Sequence, residues 1–249
     1  NGTQADTAAK VQAIVNAYTA ILAEANDAAN TAGDGTTDAT PLIDPTAVQY
    51  AAIGAEIGSA ATLAANLALL NDVVGGKQFA DVDTVGEINE LARIANAIQT
   101  VAAGGTPSPA LTVADLTKAG LADVTDNNLA AVIAAIAAKD NTGGETDSLG
   151  ELQSLVTALN TAATTLGVFA GANSTGLINA TGTVPTETAY TAAGVTGVTA
   201  INLAAINDAL ASLPVGAEQA NSPSELQGIV NAYTAILAEA NDAANTAGD

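Results

Sequence analysis

The sequence predicts an all-α protein, a tandem array of small three-helix bundles forming an elongated rod. Three observations carry this reading. Apolar residues recur at spacings of three and four along most of the chain, the period of a helix with one buried stripe. The stretch Ile14 to Asp34, IVNAYTAILAEANDAANTAGD, recurs without a change at Ile229 to Asp249, an offset of 215 residues. Cores tolerate many apolar swaps of similar size, so identity this complete points to duplication of a longer unit. Finally, 49% of the 249 residues are hydrophobic, yet there are only two Phe and four Tyr, and no Trp, Met, Cys or His. Cores built from Ala, Val, Leu and Ile are thin and helical, and Ala is the best helix former.

The first helix is expected over residues 7–30. Val11, Ile14, Val15, Tyr18, Leu22 and Ala25 form its stripe, and we name it type C. Residues 31–44, rich in Gly, Thr and Asp, read as a linker. Asp44-Pro45 then suits a helix start, with Asp as N-cap and Pro at the first helical position. The short helix that follows, type A, has three related copies: Thr46 to Gly54, Thr112 to Gly120 and Thr186 to Gly194. Its terminal Gly fits a left-handed C-terminal position.

Type B follows at Asn66 to Asp72, Asn128 to Ala134 and Asn202 to Asp208. From the Gly of type A to the Asn of type B is eight residues in the second and third copies and twelve in the first, an insertion of about one helical turn. Type C returns at Thr84-Val-Gly-Glu87, Ser148-Leu-Gly-Glu151 and Ser222-Pro-Ser-Glu225. A hydroxyl residue three before a Glu is the capping-box pattern. The first copy, Thr7-Ala-Ala-Lys10, lacks the Glu and should fray more.

The order is therefore C, then A-B-C three times. Spacing from B to C is nearly constant, whereas spacing from C to the next A varies and includes the long stretch 164–184. Constant loops within modules and variable loops between them favour three-helix repeats at 44–104, 110–167 and 185–246. Residues 1–34 are then the last helix of a preceding, incomplete repeat. Grouping as C-A-B, with the final helix unpaired, is the alternative. Expected core positions are Ile88, Leu91, Ile94 and Ile98; Leu152, Leu155, Val156 and Leu159; and Leu226, Ile229, Val230 and Tyr233. Modules of this size bury little on their own, so stacking against neighbours is expected to add stability.

The segment YTAAGVTGVTAINLAAIN (190–207), followed by SELQGIV (224–230), resembles the tandem three-helix, GA-like repeats of giant bacterial RTX-type and biofilm-associated surface adhesins. The likeness extends over most of the chain and is strongest in 185–246. It implies an extracellular, cell-surface location, a rod of repeats, and a role in adhesion or matrix architecture. No albumin-binding surface of GA modules can be matched residue by residue.

The chemistry is sparse. No His or Cys removes the commonest bases and nucleophiles, and no catalytic, cofactor-binding or metal-ligating residue is assigned. Ser148 with Lys139 is read as a loop coincidence rather than a catalytic pair. The carboxylates Asp81 and Asp83, and Glu145 and Asp147, precede type C helices, where negative charge is favourable. Asp81 to Glu87 starts like an EF-hand loop but has the wrong spacing. Asp34 to Asp38, Asp123 to Asp126 and Asp140 to Glu145 are looser still, leaving room only for weak surface calcium. Asn1, Asn173 and Asn179 open Asn-X-Thr glycosylation patterns. Tyr18, Tyr50, Tyr190 and Tyr233 recur at equivalent helix positions, a packing signature. Ala/Thr-rich helices also resemble ice-binding ones, but these cap and bundle instead.

A net charge of −21 repels nucleic acid and anionic membranes. The longest clean apolar run, 129–138, is too short to span a bilayer. A chain opening on Asn1-Gly2-Thr3 reads as an excised or processed segment. The expected function is a non-catalytic structural segment of a large bacterial extracellular protein, an adhesin stalk or surface filament whose partners are neighbouring repeats. The alternatives are a fibre subunit that self-assembles head to tail through helix packing, and a helical binding module for a host or matrix protein or glycan.

Overall fold

A computed structural model describes residues 5–25, 44–139, 142–174, 183–212 and 214–240. The described residues are all-helical, with no strand. Ten α-helices run in order: α1 (Ala8–Ala25), α2 (Ala47–Ala52), α3 (Ala64–Gly75), α4 (Val85–Ala102), α5 (Val113–Ala119), α6 (Leu129–Ala137), α7 (Leu149–Asn173), α8 (Glu187–Ala192), α9 (Leu203–Leu210) and α10 (Pro223–Ala240). Helices α2, α5 and α8 are type A; α3, α6 and α9 type B; and α1, α4, α7 and α10 type C. The chain divides into two compact units, Asn1–Val124 with Ile136–Ser154, and Thr125–Ala135 with Leu155–Asp249. The division passes through α6 and α7.

Helix starts follow local hydrogen bonding. Thr84 accepts the Glu87 N–H at 3.3 Å, while Glu87 accepts the Thr84 N–H at 2.9 Å. Ser222 and Glu225 repeat this exchange at 3.4 and 3.1 Å. Ser148 accepts the Glu151 N–H at 3.3 Å. In α1 the half-box survives, with Thr7 accepting the Lys10 N–H at 3.3 Å.

Asp44 and Pro45 do not start α2 as the sequence suggested. The N-cap is Thr46, paired reciprocally with Gln49; a box satisfies two orphan amides where Asp44 would satisfy one. Thr112 and Asp115 form the same box at α5. The type A glycines Gly54, Gly120 and Gly194 all have positive φ. Gly194 is required twice over, because a Cβ there would lie 2.6 Å from the Ala131 methyl. The four-residue insertion of the first copy forms a 3-10 turn, Gly58–Ala61.

In the first unit α1 packs on α2 and α3, α3 on α4, and α4 on α5. Ile21, Tyr50, Leu69, Leu70, Val73, Val74, Ile88, Leu91, Ile94 and Ile98 are buried. In the second unit Leu166, Phe169 and Ala170 of α7 join Tyr190, Ile206 and Leu210, with Leu226 and Val230 of α10, in one core. This corrects the expected linker over 164–184. Helix α7 continues to Asn173 because Leu166 and Phe169 have a core to enter. Among the described residues, α7 is long and apolar enough to cross a membrane by length and composition, although its apolar residues Leu152, Val156, Leu166 and Phe169 are buried in protein.

Candidate functional site

The repeated geometry is polar as well as apolar. Tyr50 on α2 donates its hydroxyl to Asn71 Oδ1 on α3 at 2.9 Å, and Asn71 Nδ2 donates to the Pro45 carbonyl at 3.0 Å. Tyr190, Asn207 and Pro185 repeat the chain at 2.7 and 2.9 Å. In the middle copy these three places hold Leu116, Ile133 and Leu111. The polar partners are absent together, the cheap way to lose a buried hydrogen bond. Burial pushes the phenols of Tyr50 and Tyr190 well above the ordinary range; for Tyr50 the carboxylates of Glu24 and Asp44 add to it.

A side-chain amide near the start of type C fastens the loop after type A. Asn89 Oδ1 accepts from the Glu56 N–H at 2.7 Å. Gln153 grips Ala122 at both its N–H (2.8 Å) and carbonyl (3.4 Å). Gln227 grips Thr196 in the same way at 2.8 and 3.1 Å. The equivalent residue of α1, Gln12, donates to Asn16 on its own helix at 2.8 Å. Further along the B–C contact, Asn66 donates to Asn96 and Asn128 to Asn160, each at 2.8 Å. In the third copy the type C partner position is Thr234, and Asn202 turns instead to the Gly197 carbonyl at 2.8 Å.

These contacts make the type C helix two-sided. Helix α4 packs on α3 before it and on α5 after it. Helix α4 is buried on both, at Ile88, Leu91 and Ala92 and again at Ile94, Ile98, Val101 and Ala102. Helices α1 and α10, identical over 14–25 and 229–240, split this role. In α1, Val11 and Val15 are 44% and 50% exposed, whereas Ile21 is fully buried; in α10 the matching Leu226 and Val230 are each 1% exposed, and Ile236 is 62% exposed. The stripe expected from Val11 to Ala25 is thus corrected. The buried residues of α1 are Ala17, Ile21, Glu24 and Ala25, because only its second half has a neighbouring A–B pair. Tyr18, half-buried in that seat, donates its hydroxyl to the Asp83 carbonyl. Burial, with Asp83 and Glu87 nearby, raises its pKa.

The charged residues take structural places. Asp81 Oδ2 accepts from the Gln78 N–H at 3.1 Å, and Glu87 closes its capping box. Hydrogen bonds from Thr84 hold the Glu87 carboxyl below its ordinary range. Ser148 is an N-cap, and Lys139 faces Glu145 at 3.7 Å. Asp147 is raised by burial and by Glu151. Asn173 is fully buried and donates to the Phe169 carbonyl at 2.9 Å, which closes it to a glycan in the folded chain. Asn1, Asn179, the loop Asp34–Asp38 and Asp140 lie outside the described residues. No group of three carboxylates able to hold a metal ion occurs among the described residues.

A polar cleft beside Arg93 was not foreseen. Arg93 on α4 meets Glu90 at 2.9 Å and Asp115 on α5. The bond from Arg93 lowers the Glu90 carboxyl and raises the guanidinium. The adjoining space, about 330 Å³, is lined by Glu56, Asn89, Asn96, Thr100 and Pro107. Nε and Nη2 bond the two acids as a helix–helix clamp, while the buried Nη1 has no hydrogen-bond partner among the described residues. The chain's only Arg could have flagged it, but nothing in the sequence pairs positions 93 and 115.

Compared with known proteins, the chain matches no family model, no curated sequence and no solved structure.

Proposed function

We propose that this chain is a non-catalytic spacer, a structural repeat segment of a large bacterial extracellular protein, whose small helical bundles follow one another as an elongated rod. The observation that supports this reading is α4, which is buried along its whole length and packs on both α3 and α5. A helix shared between successive A–B pairs adds units in series without a separate linker domain, as in solenoid arrays. The excess of acids keeps neighbouring rods apart. The extracellular, surface-adhesin setting is supported by the resemblance of residues 190–207 and 224–230 to adhesin repeats.

Small-angle X-ray scattering of the 249-residue chain tests the rod. A compact chain of this length has a radius of gyration of about 18 Å. A value well above that, with a cross-section of one bundle, is expected; a value near 18 Å would sink the spacer reading.

A further inference from the structure

We infer that the cleft beside Arg93, with the space next to it, binds two adjoining units of a neutral sugar chain. The cleft is lined from α4, from the 3-10 turn Gly58–Ala61 and from the loop that leads into α5. Arg93 sets what it can take. Its Nε and Nη2 are spent on Glu90 and Asp115, and Nη1 is closed to solvent with no hydrogen-bond partner among the described residues. A buried donor on a charged group is costly to leave unpaired, so the site favours a ligand oxygen at Nη1. The surrounding charge selects an uncharged oxygen. Three acids, Glu56, Glu90 and Asp115, stand against the cations Arg93 and Lys118, and an anion gains nothing from that balance.

A hydroxyl both accepts and donates, and the walls offer partners of both kinds. Arg93 can only donate and the Glu56 carboxylate can only accept. Asn89 spends Oδ1 on the Glu56 N–H, which leaves its amide nitrogen to donate. Pro107 and Pro109 add apolar faces for the C–H side of a ring. At about 330 Å³ the cleft has room for one hexose unit. A second space of about 460 Å³ adjoins it, sharing Ser59 and Thr100 and continuing to Asn66 and Ala103. The pair therefore suits linked units better than one. Because Nη1 is under cover, binding has to draw it toward the cleft, and a probe on Arg93 registers that movement.

The site is separate from the spacer role, so its failure leaves the scattering test untouched. Proton–nitrogen NMR of the whole chain reads it out. Arg93 is the only arginine, so its Nε–Hε signal needs no assignment. The probes are maltose, cellobiose, lactose and mannobiose, with glucose, glucuronate and inorganic phosphate beside them. At least one disaccharide should shift the Arg93 signal with half-saturation at about 1 mM. Glucose should bind at least tenfold more weakly, and glucuronate and phosphate more weakly still. The inference is overturned if no disaccharide moves the signal at ten times that concentration, or if none binds more tightly than glucose. Phosphate or glucuronate binding as tightly as the best disaccharide also overturns it, because Arg93 would then be an ordinary anion contact. These titrations use the unmodified chain and need no variant to fold. Ser59→Trp, at an exposed serine shared by the two spaces, should keep the helical ellipticity and weaken the disaccharide at least tenfold. A folded Ser59→Trp chain with unchanged binding would place the sugar elsewhere and overturn the assignment.

Discussion

Helices α1 and α10 carry the same 12 residues, 14–25 and 229–240, yet bury opposite halves. Propensity and apolar pattern over these 12 residues are therefore held constant between them, while the helix starts differ, Thr7 with Lys10 against Ser222 with Glu225. What differs is the neighbour. Helix α1 has an A–B pair after it, and α10 has one before it. Helix α4, with a pair on each side, shows what the full element looks like. An amphipathic stripe offers burial along its length, and only a neighbouring element collects it.

The sharpest way to break this comparison is to truncate the same side chain in both places. Ile21→Ala should cost about 2–5 kcal/mol, as for a fully buried aliphatic residue, whereas Ile236→Ala should cost less than about 0.5 kcal/mol. Urea unfolding at micromolar concentration measures both, and equal costs would mean the two halves are not differently seated. The valines give the mirror image. Val230→Ala should cost about 2 kcal/mol from lost methyls and a residual cavity, and Val15→Ala less than about 0.5 kcal/mol.

The polar pairs sharpen the comparison by predicting sameness. Tyr50 beside α1 and Tyr190 beside α10 make the same buried bond to Asn71 and Asn207. Tyr50→Phe and Tyr190→Phe should each cost about 1–3 kcal/mol, because each leaves a buried amide oxygen without its donor. A large difference between them would show that the two seats are unlike in more than which half they cover.

Alkaline titration addresses the seat of α1 as a whole. Tyr18 and Tyr50 have pKa values raised above the ordinary 10.0. A group raised in the folded state contributes stability that is fully present below its unfolded pKa and lost as pH climbs through the folded value. The α1 seat should thus be unaffected below pH 10 and loosen above it, with the tyrosinate absorbance rising as helical ellipticity falls. Tyrosinate formation with no loss of ellipticity would contradict the burial of these phenols.

The smallest effect concerns the starts of the two helices. Lys10→Glu restores the capping-box acid of α1 and removes an exposed ion pair with Asp6. It should stabilise by roughly 0.5 kcal/mol. Glu225→Lys in α10 should cost about the same. Amide exchange in the first turn of each helix reads both changes.

Much of the local structure was legible because its causes are local. The capping pairs Thr84–Glu87 and Ser222–Glu225, the glycines that end type A, and the extra turn between Gly54 and Asn66 each depend on residues within a few positions of one another. The start of α2 was misread because Pro45 carries two signals. Its place before Thr46 fits a first helical residue, but its carbonyl is the acceptor that Asn71 needs from 26 residues away. The end of α7 was missed for a similar reason. Glycines at 167 and 171 and the Thr-rich run look like linker, and only the core around Tyr190 and Ile206 shows why Leu166 and Phe169 stay helical. Arg93 with Asp115 had no sequence signal, since the pair is made by two helices meeting.

The sequence by itself determined the helices, their order of C, then three times A-B-C, and the single apolar stripe of type C. Local hydrogen bonding and periodicity suffice for these, because both act within one or two turns. Tertiary structure alone decided that α1 buries its second half, α10 its first, and α4 both. Burial depends on the neighbour that arrives, and residues 14–25 and 229–240, identical in every side chain, have different neighbours.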